Sequence, residues 1–162
     1  MAAVRLPADL LAMMARGVSA IVGSRDEAFR PSIMRAVGTD VAPDGSRITV
    51  YLSRSQSRQL LQDIASTGHV AAVFSEPATH RTVQVKARAA ELRAATQADR
   101  PVLARYLASM EHEIGRVGYP AALARAMLAH RLEDVVAVSF TPEQAFDQTP
   151  GPRAGSATGS AP

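Results

Sequence analysis

Residues 47–64, with the sequence RITVYLSRSQSRQLLQDI, contain the local pattern on which the predicted fold depends. Apolar residues occupy alternate positions from Ile48 to Leu52, which is the period of a strand with one buried face. From Leu60 to Ile64 the apolar residues fall on one side of a short amphipathic helix. The sequence therefore predicts a strand, a polar turn and a helix in direct succession.

The turn between this strand and this helix, Ser53–Arg58, contains three serines and two arginines. The free N–H groups and the dipole of a helix N-terminus attract anions, and arginine forms paired hydrogen bonds with phosphate. Serine is also a favoured N-cap residue, and exposed arginines contribute little to stability when they lie in water. The stretch alone therefore fits two interpretations, an ordinary helix cap and a site for an anion.

Composition excludes several classes of protein. The 162 residues include no cysteine, so disulfides, thiolate catalysis and cysteine-ligated metals are excluded. The four histidines are scattered without metal-ligand spacing, and we expect no metal site. No apolar run is long enough to span a membrane and no signal peptide is recognisable, so we expect a cytoplasmic protein without membrane contact. A net charge of +3 and the absence of tryptophan argue against nucleic-acid binding.

Periodicity along the chain predicts a mainly β fold with helices, of the α+β class. An N-terminal helix ends at Gly17, and a capping box at Thr96–Asp99 opens a C-terminal helical pair that ends near His130. Short turns favour a small antiparallel barrel with six strands. The six predicted strands are 18–24, 31–39, 47–52, 69–75, 82–92 and 135–140.

Three shorter segments complete this organisation. Residues 42–46, APDGS, form a strong turn signal, which predicts that the second and third strands pair as a hairpin and that Arg35 lies beside Val50–Ser53. The dipeptide Glu133-Asp134 is interpreted as a solvated turn before the last strand. Residues 149–162 are rich in proline, glycine, serine and alanine, and we expect them to form a disordered tail.

Four motifs within residues 18–92 carry a resemblance to a known family. They are PSIMRAV at Pro31–Val37, VYLS at Val50–Ser53 followed by SRQ at Ser57–Gln59, VAAVFSEP at Val70–Pro77, and RTVQVKARA at Arg81–Ala89. In the order and spacing of these motifs the chain resembles the FMN-binding split-barrel family related to pyridoxamine 5'-phosphate oxidase. The resemblance implies that residues 1–148 form a six-stranded antiparallel split β-barrel that binds an FMN cofactor. It also implies a homodimer in which the flavin lies in the cleft between two barrels.

The resemblance also implies which residues hold the flavin. The FMN-binding residues it indicates are Arg35, Ser57 and Arg58 at the phosphate, Arg54 and Gln59 beside them, Leu52 and Ser53 through their backbone, and Arg81 and Thr82 near the ring. In this family the cofactor performs the hydride or electron transfer, so no catalytic side chain is assigned. A small molecule is the expected substrate, and NAD(P)H is a candidate electron donor.

Two departures from the family pattern bear on the predicted activity. Gln59 stands where many members have lysine, which removes one cation from the phosphate site. The arginine-rich C-terminal signature of true pyridoxamine phosphate oxidases is absent after Phe140, so that activity is not expected. We therefore expect a flavin-dependent oxidoreductase or reductase. The alternatives are a haem protein with His80 as ligand, a deazaflavin-binding protein, and a non-catalytic flavin-binding module.

Overall fold

Two antiparallel sheets form the framework of the protein. The computed structural model describes residues 3–160, which contain nine strands. The strands are β1 (Ser19–Arg25), β2 (Pro31–Arg35), β3 (Gly38–Val41), β4 (Ile48–Ser53), β5 (Val70–Ser75), β6 (Thr82–Ala87), β7 (Glu91–Ala94), β8 (Val135–Phe140) and β9 (Gln144–Asp147). One sheet has the order β2-β1-β5-β6-β9 and the other the order β3-β4-β8-β7. The predicted α+β class is confirmed, whereas the six-stranded barrel is not, because the sheets have five and four strands and do not close.

The described part of the chain also contains four α-helices, namely α1 (Ala8–Arg16), α2 (Arg58–Thr67), α3 (Arg100–Gly115) and α4 (Ala121–Met127). Gly17 ends α1 with a φ of 91°, as predicted, and its N–H donates to the carbonyl oxygen of Met14. The capping box at Thr96–Asp99 is also present, in a short 3-10 turn before α3. No helix within residues 3–160 combines the length and the apolar character needed to cross a membrane.

Two of the predicted strands are each divided between the two sheets. The N–H of Ala36 donates to Ala20 in the five-stranded sheet, whereas the N–H of the next residue, Val37, donates to Tyr51 in the four-stranded sheet. The predicted strand 31–39 is therefore β2 and β3, and the predicted strand 82–92 is β6 and β7. The chain changes sheets because Ala36 packs into the main core while Val37 packs into a second apolar cluster.

This division corrects the predicted position of Arg35. The turn at 42–46 joins β3 to β4, as expected, but β2 pairs with β1 and not with β4. Arg35 therefore lies opposite Ile21. The prediction that Arg35 lies beside Val50–Ser53 was wrong, because the sheet change at residues 36 and 37 intervenes.

The segment that follows β9 folds back along this strand. The N–H of Asp147 donates to Ser156, the N–H of Thr158 donates to Ala145, and Ser160 forms a β-bridge with Arg5. These contacts place residues 149–160 beside the five-stranded sheet. The disorder expected for residues 149–162 in solution stays a prediction, and residues 161–162 lie outside the described part of the chain.

A buried carboxylate ties β4 to the start of α3. The Tyr51 hydroxyl donates to Asp99 at 2.9 Å, and the Arg93 guanidinium donates to both Asp99 oxygens at 2.8 Å. Asp99 is only 5% exposed. The hydrogen bonds from Arg93 are the main cause that holds the pKa of Asp99 far below its ordinary value, against the opposing effect of burial. Burial and then the Asp99 carboxylate raise the pKa of Tyr51.

We expect Asp99→Asn to lower the free energy of unfolding by about 2 kcal/mol at neutral pH, since it weakens hydrogen bonds to a charged group. The folded pKa of Asp99 lies below its unfolded value of about 3.9, so its stabilising contribution is complete above that value and declines as the pH falls below it. Urea unfolding at a series of pH values should therefore show the two proteins converging in acid. Asp40→Asn, which breaks the exposed ion pair with Arg105, is the control and should have little effect. A stability difference that persists unchanged below pH 4 would contradict this role.

Candidate functional site

The end of β4 is buried in the four-stranded sheet. β3 pairs with β4 from Ile48 to Tyr51, the Val37 N–H donates to the Tyr51 carbonyl oxygen, and the side chains of Leu52 and Ser53 are buried. The chain then turns through residues 54–56, and the N–H of Ser57 donates to the carbonyl oxygen of Arg54 at 3.3 Å. The two residues predicted to offer backbone contacts therefore lie directly before the turn that leads to α2.

The N-terminus of α2 has no side-chain cap. Ser57 occupies the N-cap position, but its hydroxyl makes no capping hydrogen bond. The first intrahelical bond joins the Leu61 N–H to the Ser57 carbonyl oxygen at 2.9 Å, which leaves the N–H groups of residues 58–60 without intrahelical acceptors. No acidic residue lies in the first turn. The positive end of this helix is therefore neither capped nor neutralised within the helix.

The Ser57 hydroxyl is buried and lacks a partner. Ser57 is 1% exposed, and its Oγ has no hydrogen-bond partner among the described residues. A buried polar group is normally paired, and leaving one unpaired costs roughly 1–3 kcal/mol. The unpartnered hydroxyl is the feature of this helix start that the fold itself does not explain.

Two arginines flank this serine. Arg54 and Arg58 are exposed, and within residues 3–160 neither side chain forms an ion pair or a hydrogen bond. Both guanidinium groups are therefore available to a ligand. Together with the open helix N-terminus, they provide hydrogen-bond donors of the kind that bind phosphate.

The carboxylate of Asp134 lies against the first half of the turn that precedes α2. Its carboxylate accepts hydrogen bonds from the Ser53 hydroxyl at 2.8 Å, the Ser55 hydroxyl at 2.6 Å and the Ser55 N–H at 3.1 Å. These bonds, those from Ser55 first, lower the pKa of Asp134. The predicted turn before the last strand is present as a short 3-10 turn at Leu132–Asp134, and within it the Asp134 carboxylate is held by donors from another part of the chain. The donors of Ser53 and Ser55 already bind an anion, and that anion is a side chain of the protein.

A second carboxylate holds Gln59. The Gln59 amide donates to Asp63 at 2.8 Å, and the Ser32 hydroxyl donates to the other Asp63 oxygen at 2.5 Å. Asp63 is 3% exposed. A cavity of about 280 Å³ beside this group is lined by Gln59, Asp63, Asp26, Arg30 and Pro31. The position where many family members have lysine is therefore engaged with a buried carboxylate.

The remaining predicted residues lie away from this turn. Arg35 is on the outer face of the five-stranded sheet, where its guanidinium donates to the Ser19 hydroxyl at 2.8 Å. The side chain of Ser32, on the opposite face of the same strand, is the one that reaches α2. Arg81 pairs with Asp9. The Thr82 hydroxyl lies 2.7 Å from that of Ser75, in the same five-stranded sheet. The structure thus groups Leu52, Ser53, Arg54, Ser57, Arg58 and Gln59, and separates Arg35, Arg81 and Thr82 from them.

Sequence reasoning missed both carboxylates. Asp63 follows Gln59 by four residues on a helix, which is a spacing that brings side chains together and could have indicated the pair. Asp134 is 79 residues from Ser55, and no local pattern connects them.

Comparisons with known proteins reveal similarity of structure only. No protein-family model and no curated protein sequence matches the chain. Among solved structures, a pyridoxamine 5'-phosphate oxidase-like protein from Lactobacillus delbrueckii has a TM-score of 0.56 at 16% identity, over 90% of this chain and 99% of its own. An F420 reductase also has a TM-score of 0.56, at 14% identity, over 83% and 93%. General stress protein 26 from Bacillus anthracis has a TM-score of 0.50 at 14% identity, over 85% and 90%. The chain has the split-barrel fold of the pyridoxamine 5'-phosphate oxidase-like proteins.

Proposed function

We propose that this chain is a cytoplasmic flavoprotein that binds FMN and acts as an oxidoreductase or reductase on a small molecule. The observation that carries the proposal is the helix start at Ser57. There an unpartnered hydroxyl, an uncapped helix N-terminus and two unpaired arginines adjoin one another. A phosphate monoester would satisfy all three. The split-barrel fold supports the same assignment.

The residues around α2 fit the phosphate end of FMN only in part. Ser57, Arg54 and Arg58 would hold the phosphate, while Gln59 and Ser53 would contribute little because Asp63 and Asp134 engage their side chains. The bound flavin supplies hydride or electron transfer, and the protein supplies binding and orientation. Leu52 and Ser53 are buried in β4, so they would contact the cofactor only through their backbone.

The outer face of the five-stranded sheet suits a second copy of the chain. Ile33 on β2 is 68% exposed, and an open groove of about 630 Å³ runs past it, with Gly23 and Ala71 also in its lining. Because Arg35 and Thr82 lie on this same face, a homodimer formed here would bring them to the interface. In this arrangement Arg35, Arg81 and Thr82 would serve the flavin from the dimer interface and not from the α2 turn.

The deazaflavin alternative is supported by one neighbour, whose name is F420 reductase. A haem protein is the other alternative, since a heme binding protein from Mycobacterium smegmatis has a TM-score of 0.50 at 10% identity. His80, the candidate haem ligand, is exposed in the loop between β5 and β6. FMN, the deazaflavin and haem are thus the three candidate cofactors, and their visible spectra differ.

We expect the purified protein to bind added FMN and to display a perturbed flavin spectrum, because the α2 site offers phosphate donors. NAD(P)H oxidation by the FMN-loaded protein would separate a reductase from a non-catalytic binding module. Failure of the protein to bind FMN would contradict the proposal. A Soret band, or uptake of the deazaflavin cofactor in place of FMN, would favour the corresponding alternative.

Arg58→Ala and Arg88→Ala are matched variants for this titration. Arg88 adjoins Gly68 at the C-terminal end of α2, about 15 Å from Arg58, and pairs with Glu143. Removal of Arg58 should weaken FMN binding about tenfold or more, because a charge-assisted contact is lost, whereas removal of Arg88 should change it little. Equal effects of the two variants would contradict the assignment of Arg58.

Ser57→Ala tests the unpartnered hydroxyl directly. If Ser57 were an ordinary cap, alanine would cost about 1 kcal/mol. Because its Oγ is buried without a partner, we expect the variant without ligand to be more stable by about 1 kcal/mol in urea unfolding. The same variant should bind FMN more weakly. Ser55→Ala, which removes a hydrogen bond to Asp134, is the control and should destabilise the protein. Loss of stability in Ser57→Ala would indicate a cap.

Ile33→Glu tests the proposed dimer. A charged residue in the apolar face should convert the dimer into a monomer, since the charge would be buried without a partner. Sedimentation analysis measures the change. Val117→Glu is the control, because Val117 is also exposed, at 40%, but follows α3. A wild-type monomer, or a dimer that both variants leave intact, would be inconsistent with this interface.

A further inference from the structure

We propose that Asp134 and Asp63 weaken the anion site at α2, so that the chain binds its phosphate ligand as an exchangeable molecule and not as a resident prosthetic group. This inference rests on the proposed function, because it concerns the affinity of that same site. It is supported by two carboxylates of the protein, which accept hydrogen bonds from side chains on either side of Ser57.

The first carboxylate removes donors from the ligand. The Asp134 carboxylate accepts hydrogen bonds from the hydroxyls of Ser53 and Ser55 and from the Ser55 N–H. Without Asp134, these donors would face the turn. Ser55 is two residues from Ser57, so the charge of Asp134 lies close to any anion bound at the helix start. Such an anion would be repelled by a carboxylate of the same sign. Asp134 therefore both competes for hydrogen bonds and opposes the charge of a phosphate.

The second carboxylate acts from the other side. Asp63 lies in the second turn of α2 and holds Gln59, which stands one residue after Arg58. Asp63 is also buried, and water screens a buried charge less than an exposed one. Arg54 and Arg58 bring two positive charges to the site, and Asp63 and Asp134 bring two negative charges. The four side chains therefore leave no net positive charge to attract a phosphate dianion.

What remains for the ligand is a restricted set of contacts. These are the open N–H groups of residues 58–60, the Ser57 hydroxyl and the direct hydrogen bonds of the two arginines. They fix the position of a phosphate, but long-range attraction is cancelled. The ligand is therefore bound weakly enough to exchange with free ligand in solution.

The test compares Asp134→Asn, Asp63→Asn and Glu133→Gln in the full chain, with FMN and inorganic phosphate as probes. Glu133 is adjacent to Asp134 but pairs with Arg131, so it controls for a general change of charge. Wild-type protein should lose FMN on dialysis. Each asparagine variant should bind FMN and phosphate about three- to tenfold more tightly, and Glu133→Gln should not. Asp134 is the safer position, since the carboxylate is partly exposed, and thermal unfolding verifies that each variant is folded.

The possible outcomes separate this inference from the proposed function. If wild-type protein binds FMN and neither asparagine variant tightens it, the carboxylates have no such role and the inference is wrong. Stoichiometric FMN that survives dialysis of the wild type would overturn it as well. If no variant binds FMN or phosphate, both this inference and the proposed function fail. Tighter binding in the asparagine variants alone supports both.

Discussion

The antiparallel pairing of β4 with β8 joins two buried strands from distant parts of the chain. Six residue pairs run from Ile48 opposite Phe140 to Ser53 opposite Val135, and all side chains of both strands are buried. This ladder fixes the end of β4, which determines where α2 begins. It also carries Asp134, the residue just before β8, to the turn that precedes α2. The geometry of the candidate site thus follows from one strand pairing.

Features that depend on neighbouring residues were predictable from the sequence. The end of α1 at Gly17, the capping box before α3 and the bounds of β8 agree with the predictions because each depends on a local pattern. The division of residues 31–39 between two sheets was not predictable in this way. Ala36 and Val37 form backbone bonds to residues far away in sequence, and nothing in their own pattern distinguishes one continuous strand from two.

The same distinction between local and long-range features applies to the candidate site. The position of Ser57 and Arg58 at the start of α2 followed from the amphipathic pattern that comes after them. Their surroundings did not, because Ser32 and Asp134 come from other parts of the fold. Arg35 illustrates the opposite case. The turn signal at residues 42–46 suggested a place beside β4, but the sheet change puts Arg35 in the other sheet, with its side chain on the outer face.

The helix start at Ser57 has one uncommon feature. Its hydroxyl is buried and unpaired, although serine at an N-cap position usually caps the helix. The missing cap is not special to α2, because α4 also lacks both a side-chain cap and an acidic first turn. Local exceptions such as the unpaired hydroxyl, in an otherwise consistent sequence, are expected at functional sites. The two nearby carboxylates do not remove the exception, since Asp134 and Asp63 bind other donors and leave this one open. The unpaired Ser57 hydroxyl is therefore what distinguishes the start of α2 from the start of α4, which is also uncapped.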